Sequence, residues 1–438
     1  MASGIEITAF GVVAGGREFA FTDLTAAAHG VDSSQVRSVA ISVPDGPLTA
    51  AALLWVRRAG LDAVLLHADL RRTETEALAQ EMGCSHLLSG GADGRDLWLT
   101  LTTCETAPQC RVNNRRGLGL LTSGTTGIPK LVTRDWQALE LSVARGPQLQ
   151  EARWMSLYPL TRFAGFNTLL HALCNEATLI IPRALQPSAI LEDLCETSPT
   201  HISGTPTMWR NLLMTLPPGA RSLPSLRQIT LGGEVVDQPI LNALKAAAPQ
   251  ARLTHIYAST ELGVCAAVSD GQAGFPAEWL ESRSKLVRLQ LRGDELWVLR
   301  PGCSVGRQRE SSEEWTATGD LAEIQGGRVY FKGRRSDVLN IGGAKVAPAE
   351  VEERLSEVPG VLGARVLGRR SSIAGTVIVA EIIGQAGADE KSLRATIMKH
   401  CRAYLPNYAV PRIVTFVDSL PISASGKILR ADSERPNE

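Results

Sequence analysis

The 438-residue chain is poor in the features that define several large protein classes. Its eight cysteines (Cys84, Cys104, Cys110, Cys174, Cys195, Cys265, Cys303 and Cys401) form no Cys-x-x-Cys pair, and its seven histidines show no His-x-x-x-His spacing. Neither a zinc site nor a disulfide framework is indicated, and reduced cysteines in a cytoplasmic compartment are expected. Lysine plus arginine and aspartate plus glutamate are equal at 45 each, with no long block of one sign. That balance offers no electrostatic basis for nucleic acid or an anionic membrane as a partner. The longest apolar stretch, near residues 48–56, is too short to span a bilayer, and residues 1–11 carry no basic segment leading into an apolar one. Internal repeats, coiled-coil heptads and low-complexity tracts are missing as well. The expected partners are therefore small molecules.

A chain of this length exceeds what one core supports, so at least two domains are expected. Residues 38–43 read as a strand, 48–58 have helical apolar spacing, and 63–66 form a short apolar run. The alternation resumes with strands at 154–157, 178–181, 200–203, 228–231 and 253–256, separated by helices at 163–173, 190–196, 207–214 and 239–247. It predicts an α/β fold of helix-covered, mostly parallel sheets, with ligands at the carboxyl ends of the strands. From about residue 286 the texture changes to hairpins, 286–292 with 295–300 and 321–324 with 328–331, which predicts a small β subdomain. The remainder reads as an α+β unit with helices near 349–357 and 391–404 and strands near 364–367 and 377–383. The expected division is a domain of residues 1–333 and a small mobile domain of residues 334–438.

The most informative segment follows the apolar pair Leu120-Leu121. Thr122, Ser123, Gly124, Thr125, Thr126, Gly127 and Lys130 combine hydroxyls, glycines without a Cβ and one cation, a composition able to wrap the oxygens of a polyphosphate. The Gly-Lys-Ser/Thr ending of P-loop NTPases is lacking, which disfavours that class. Serine, threonine and glycine clusters also mark ordinary turns, so the loop alone does not decide.

Three further segments follow in fixed order: Tyr257-Ala258-Ser259-Thr260-Glu261; Thr318-Gly319-Asp320 with Gly333-Arg334-Arg335-Ser336-Asp337; and residues 421–430 containing Gly426-Lys427. Together the four resemble the adenylate-forming superfamily of acyl- and aryl-CoA synthetases, peptide-synthetase adenylation domains and luciferases, over about residues 39–430. The resemblance implies activation of a carboxylic acid by ATP and Mg²⁺ through an acyl-adenylate. In its terms Thr122 to Gly127 and Lys130 hold the β- and γ-phosphates, Thr260 contacts the α-phosphate and Glu261 helps bind Mg²⁺. Tyr257 and the backbone of Gly232, Gly233 and Glu234 line the adenine, Asp320 and Arg334 hold the ribose, and Lys427 reaches the reacting carboxylate from the small domain. The same resemblance places a hinge at Ser336, where relatives carry Asp or Lys, and a glycine strand for a pantetheine arm around Gly343.

Two departures bear on substrate. Arg162 stands where the pocket element Pro-x-x-His-x-x-Gly of the family has histidine, so it either pairs with a substrate carboxylate or points to solvent. No aspartate lies between Tyr158 and His171, where amino-acid-activating relatives place the partner of an α-amino group, so the resemblance disfavours an α-amino acid and leaves aryl or aliphatic acids. The amino end is also shorter than the family's usual length. The acceptor is expected to be coenzyme A, with a separate carrier protein's pantetheine or an amine as alternatives. A nucleotide-binding homologue without turnover is the reading from a different class.

Overall fold

Parallel strands covered on both faces need continuous apolar runs rather than alternation. Ser38–Ile41 is buried at all four positions and Asp62–Leu65 at its last three. In the computed structural model of the chain these strands form the centre of a six-stranded sheet. The structure describes residues 7–93, 96–104, 117–122, 130–216, 223, 225–280, 287–299, 315–371, 375–385, 387–423 and 427–429.

Across this sheet the order is Asp96–Thr103, His86–Asp93, Ser38–Ile41, Asp62–Leu65, Gly117–Thr122 and Lys130–Asp135, parallel in the middle and antiparallel at both edges. An eight-stranded sheet runs Gly263–Val268, Arg252–Ser259, Gln228–Gly232, His201–Gly204, Arg153–Ser156, Thr178–Ile181, Gly11–Ala14 and Arg17–Phe19, again with antiparallel edges. The expected mostly parallel architecture is present. The hairpin His86–Asp93/Asp96–Thr103 and the edge hairpin Gly11–Ala14/Arg17–Phe19 were not anticipated, because their half-exposed faces lack a continuous apolar signal.

Helices Pro47–Ala59 and Phe163–Cys174 lie between the two sheets and share one core with strands of both. Pro47 at the first helical position and Gly60 in the left-handed region bound the first of these helices. Leu53, Leu54, Phe166, Leu169 and Leu170 are each at most 1% exposed, and burying such a side chain contributes about 1.5–3 kcal/mol. Sheet-to-sheet packing through these helices therefore holds the two halves of the large lobe at a set distance.

The β subdomain is a five-stranded sheet in which Arg288–Arg292, Glu295–Leu299, Thr316–Gln325 and Arg328–Arg334 form consecutive antiparallel pairs. The small lobe follows the turn Arg335–Asp337. It carries the short hairpin Leu339–Ile341/Ala344–Val346, a three-stranded sheet of Val361–Ser371, Gly375–Gly384 and Ile413–Phe416, and helices Pro348–Ser356 and Glu390–Tyr404. These elements bury their own cluster around Val351, Leu355, Ala380 and Ile397.

Strand Val361–Ser371 of the small lobe packs on helix Pro206–Thr215 of the large lobe. Lys332 reaches across to Glu350 at 3.2 Å. Behind these contacts the small lobe's last described segment returns to the large lobe and brings Lys427 with it.

Candidate active site

The carboxyl ends of strands Arg153–Ser156, Gln228–Gly232 and Asp62–Leu65 meet through Tyr158, Gly232, Arg162 and His67, at the end of the strands where α/β folds hold ligands. Strand Arg153–Ser156 leads into the turn that ends at Arg162. Gly165 lets that turn fold back on the following helix, since a Cβ there would lie 2.1 Å from the Pro159 carbonyl oxygen. Asp45 fastens the same turn by accepting the Leu160 amide on both carboxylate oxygens, at 3.0 and 2.9 Å. Tyr158, buried below it, donates its hydroxyl to the Gly232 carbonyl at 2.9 Å. Two strand ends that are 74 residues apart in sequence are joined by this one hydroxyl.

Gly233 follows with φ +86°, a conformation natural to glycine. A Cβ at this position would stand 3.0 Å from Cε and 3.7 Å from Nζ of Lys427, so the absent side chain is what admits the lysine. Glu234 then bridges the lobes. Its carboxylate accepts the Thr207 amide at 3.1 Å, in the first turn of helix Pro206–Thr215, and the Ile428 amide at 2.9 Å, immediately after Lys427.

Lys427 is exposed as a residue, yet both lobes crowd its ammonium. Desolvation, followed by the positive charges of Arg334 and Arg162, lowers its pKa, while Glu234 and Asp320 oppose the shift. Two cations and two carboxylates from four separate segments thus lie within electrostatic reach of one amine. The sequence reading brought these four residues to the nucleotide and acid sites without showing that they meet around the lysine.

Asp320 pairs in register with Arg334 across the strands Thr316–Gln325 and Arg328–Arg334, and their side chains are 3.2 Å apart. Asp320 also accepts the Tyr257 hydroxyl at 2.6 Å. Burial first, then the Asp320 charge, raises the Tyr257 pKa, so the phenol stays a donor. The Tyr257 ring is stacked on Phe331 with centroids 4.6 Å apart and an interplanar angle of 29°. Tyr257 is therefore an element of the Asp320 wall as well as a candidate surface for a base, and Phe331 is a neighbour that no motif flagged.

Thr260 and Glu261 occupy the turn between the antiparallel strands Arg252–Ser259 and Gly263–Val268, and both are half-buried. Ser259 closes the turn by accepting the Leu262 amide at 3.0 Å. Among the described residues no set of three His, Cys, Asp or Glu side chains converges, so a magnesium ion bound here would draw on Glu261 and on phosphate and water oxygens. Thr122 ends strand Gly117–Thr122 of the six-stranded sheet. Ser123, Gly124, Thr125, Thr126 and Gly127 lie outside the described residues, as does the side chain of Lys130, whose backbone opens the next strand.

Arg162 does not extend freely into solvent. Its guanidinium meets His67 Nε2 at 2.9 Å and lies 3.6 Å from Asp69, both in the loop after strand Asp62–Leu65. Burial, then the Arg162 charge, pushes the His67 pKa down to about 4, which keeps the imidazole neutral and able to accept. Partners on another strand could not be read from the local motif. Gly343 likewise differs from expectation: Gly342 and Gly343, at φ +57° and +91°, form a two-residue hairpin turn rather than a glycine strand. The positive φ pair is what a tight hairpin demands. Ser336 sits in the interlobe turn with its hydroxyl donated to Asp337 at 2.9 Å, while Arg335 beside it is tied to Asp294.

The AMP-binding enzyme family matches residues 119–300, and the AMP-binding enzyme C-terminal domain matches residues 350–427. A 2-succinylbenzoate–CoA ligase of Geobacillus kaustophilus is 28% identical over 80% of this chain and 76% of its own length. The mitochondrial acyl-coenzyme A synthetase ACSM5 of Mus musculus is also 28% identical, over 71% of this chain and 59% of its own. An anthranilate–CoA ligase in complex with anthranoyl-AMP shares the fold with a TM-score of 0.75 at 20% identity, covering 95% of this chain and 92% of that one. The amide bond synthetase McbA of Marinactinospora thermotolerans shares it with a TM-score of 0.70 at 22% identity, covering 95% and 94%. The chain belongs to the superfamily of adenylate-forming, AMP-binding enzymes.

Proposed function

We propose that this chain joins a small carboxylic acid, of the aryl class that its ligase relatives are named for, to the thiol of coenzyme A at the expense of ATP. The observation that carries the reading is the seating of Lys427 from the small lobe over Gly233 of the large lobe, where Arg162, Arg334, Glu234 and Asp320 all act on its charge. Two anions must meet in the first step: a carboxylate oxygen attacks the α-phosphorus, and pyrophosphate leaves. Like charges repel, so cations placed between them lower the barrier.

Lys427 donates to the carboxylate and the α-phosphate, and Arg162, held by neutral His67, presents a second positive charge to the acid. Thr122, Ser123, Gly124, Thr125, Thr126, Gly127 and Lys130 hold the departing β- and γ-phosphates, and Thr260 holds the α-phosphate. Glu261 supplies the carboxylate for Mg²⁺, which neutralises phosphate charge when bound. Gly232, Gly233, Glu234 and Tyr257 line the adenine, and Asp320 with Arg334 holds the ribose hydroxyls. In the second step a thiol sulfur attacks the acyl carbon and AMP leaves. Rotation of the small lobe against the large one about Ser336 removes Lys427 and brings the hairpin turn at Gly343 to the pantetheine arm. A cytoplasmic setting belongs to the same reading, since the described cysteines are joined by no disulfide.

Acid-dependent exchange of labelled pyrophosphate into ATP, run over a panel of aryl and aliphatic acids, tests the first step. Thioester formation with coenzyme A tests the second, and product that forms only with an amine would replace the thiol by an amide-forming acceptor. Absence of exchange with every acid would leave a nucleotide-binding homologue without turnover.

A further inference from the structure

The turn that carries Thr260 and Glu261 is held from outside as well as by Ser259. Its backbone is pinned from another sheet by Arg134, on the strand Lys130–Asp135 that leaves the phosphate loop. The Arg134 guanidinium donates to the Thr260 carbonyl from Nη2 at 2.8 Å and from Nε at 3.3 Å, across 126 residues of sequence. Its carbon lies 5.7 Å from the ring centroid of Phe163, the residue next to Arg162. At the far side of the turn, Gly263 has φ +70°, and a Cβ there would sit 3.5 Å from both terminal nitrogens of Arg134. One planar cation thus touches three elements of the site: the strand behind the phosphate loop, the Thr-Glu turn and the start of the helix after Arg162.

We propose that Arg134 is a positioning residue for magnesium-dependent ATP binding. By fixing the direction of the Thr260 carbonyl it fixes the peptide between Thr260 and Glu261, and so keeps the hydroxyl and the carboxylate aimed at one place. A forked donor suits this task because two N–H groups on one carbonyl oxygen restrict its rotation more than one does. Without the pin, the turn would sample other arrangements, and Mg²⁺ with ATP would have to order it on binding. Arg134 acts through Thr260 and Glu261 and is not assigned a contact with substrate.

This rests on the nucleotide roles proposed above for Thr260 and Glu261, and the test needs no acid substrate. Titration calorimetry of ATP with and without Mg²⁺ gives the factor by which the metal tightens ATP binding, in the wild type, Arg134→Leu and Arg134→Lys. The factor is expected to fall at least fivefold in Arg134→Leu and two- to fivefold in Arg134→Lys, which keeps a donor but loses the fork. A general structural defect would weaken ATP equally with and without metal, and that result overturns the proposal, as does a factor within twofold of wild type in either variant. If Arg134→Leu does not fold, Arg134→Lys decides on the same criterion. A wild type that binds ATP with Mg²⁺ yet exchanges pyrophosphate with no acid refutes the ligase reading and leaves this test standing.

Discussion

Glu234 offers a perturbation that separates the two arrangements of the lobes. Its carboxylate accepts the Thr207 amide at 3.1 Å within the large lobe and the Ile428 amide at 2.9 Å across the lobe boundary. Only the second bond is broken when the small lobe rotates, so only the second can favour the arrangement that delivers Lys427. A hydrogen bond to a charged group contributes about 1.5–3 kcal/mol, and half-burial of Glu234 places it at the lower end. At roughly 1.5–2 kcal/mol, Glu234→Ala is expected to slow acyl-adenylate formation about 10- to 30-fold. Pyrophosphate exchange reads that step, and thioester formation from preformed acyl-adenylate reads the other. The second rate is expected to stay within about twofold of wild type or rise, because the competing arrangement has lost a contact. Equal losses in both assays, or an unchanged exchange rate, would show that the Ile428 bond does not set the lobe equilibrium.

Lys427→Ala is expected to reduce adenylate formation by at least about a thousandfold while leaving ATP affinity within about threefold, measured by exchange and by calorimetry. Retained exchange would remove the lysine from the chemistry. Arg162→Ala is expected to raise the KM of the acid at least about tenfold with the KM of ATP nearly unchanged, and to do so more for dicarboxylic than monocarboxylic acids; an unaltered acid KM would return Arg162 to a structural role with His67. The buried histidines give the pH prediction. Burial pushes the pKa of His67, His171 and His201 down to about 4, whereas the unfolded chain takes up these protons near pH 6.5. Between those values the unfolded state binds more protons, so stability present above about pH 6.5 is lost as the pH falls toward 4. Each histidine accounts for about 2 kcal/mol of that loss by pH 5, less where solvent reaches the ring. Denaturant titrations at pH 7 and pH 5 check this, and His201→Gln is expected to flatten the dependence; equal stability at the two values would contradict neutral burial.

The pair His171 and His201 shows why the histidines resist protonation. Both rings lie against Trp154, at centroid distances of 5.2 and 4.3 Å, and a charge on either would be desolvated beside an apolar ring. Nothing in the sequence distinguished these histidines from surface ones, because Trp154, His171 and His201 stand on three different elements. His67 was equally silent until the loop after Asp62–Leu65 was seen to face Arg162.

From sequence alone came whatever local pattern encodes: the alternating strands and helices, the change to hairpins near residue 286, the ordered motifs, and so the family and the general chemistry. Apolar periodicity and turn chemistry act over a few residues, and the spacing of those signals survives without knowledge of the fold. Tertiary structure alone decided which charges share a site. Arg162 meets His67 over 95 residues, Arg134 meets Thr260 over 126, and Glu234 meets the backbone beside Lys427 over 194. Such contacts arise when sheets stack through shared helices and one lobe closes on another, and no local rule records which strand end will face which loop.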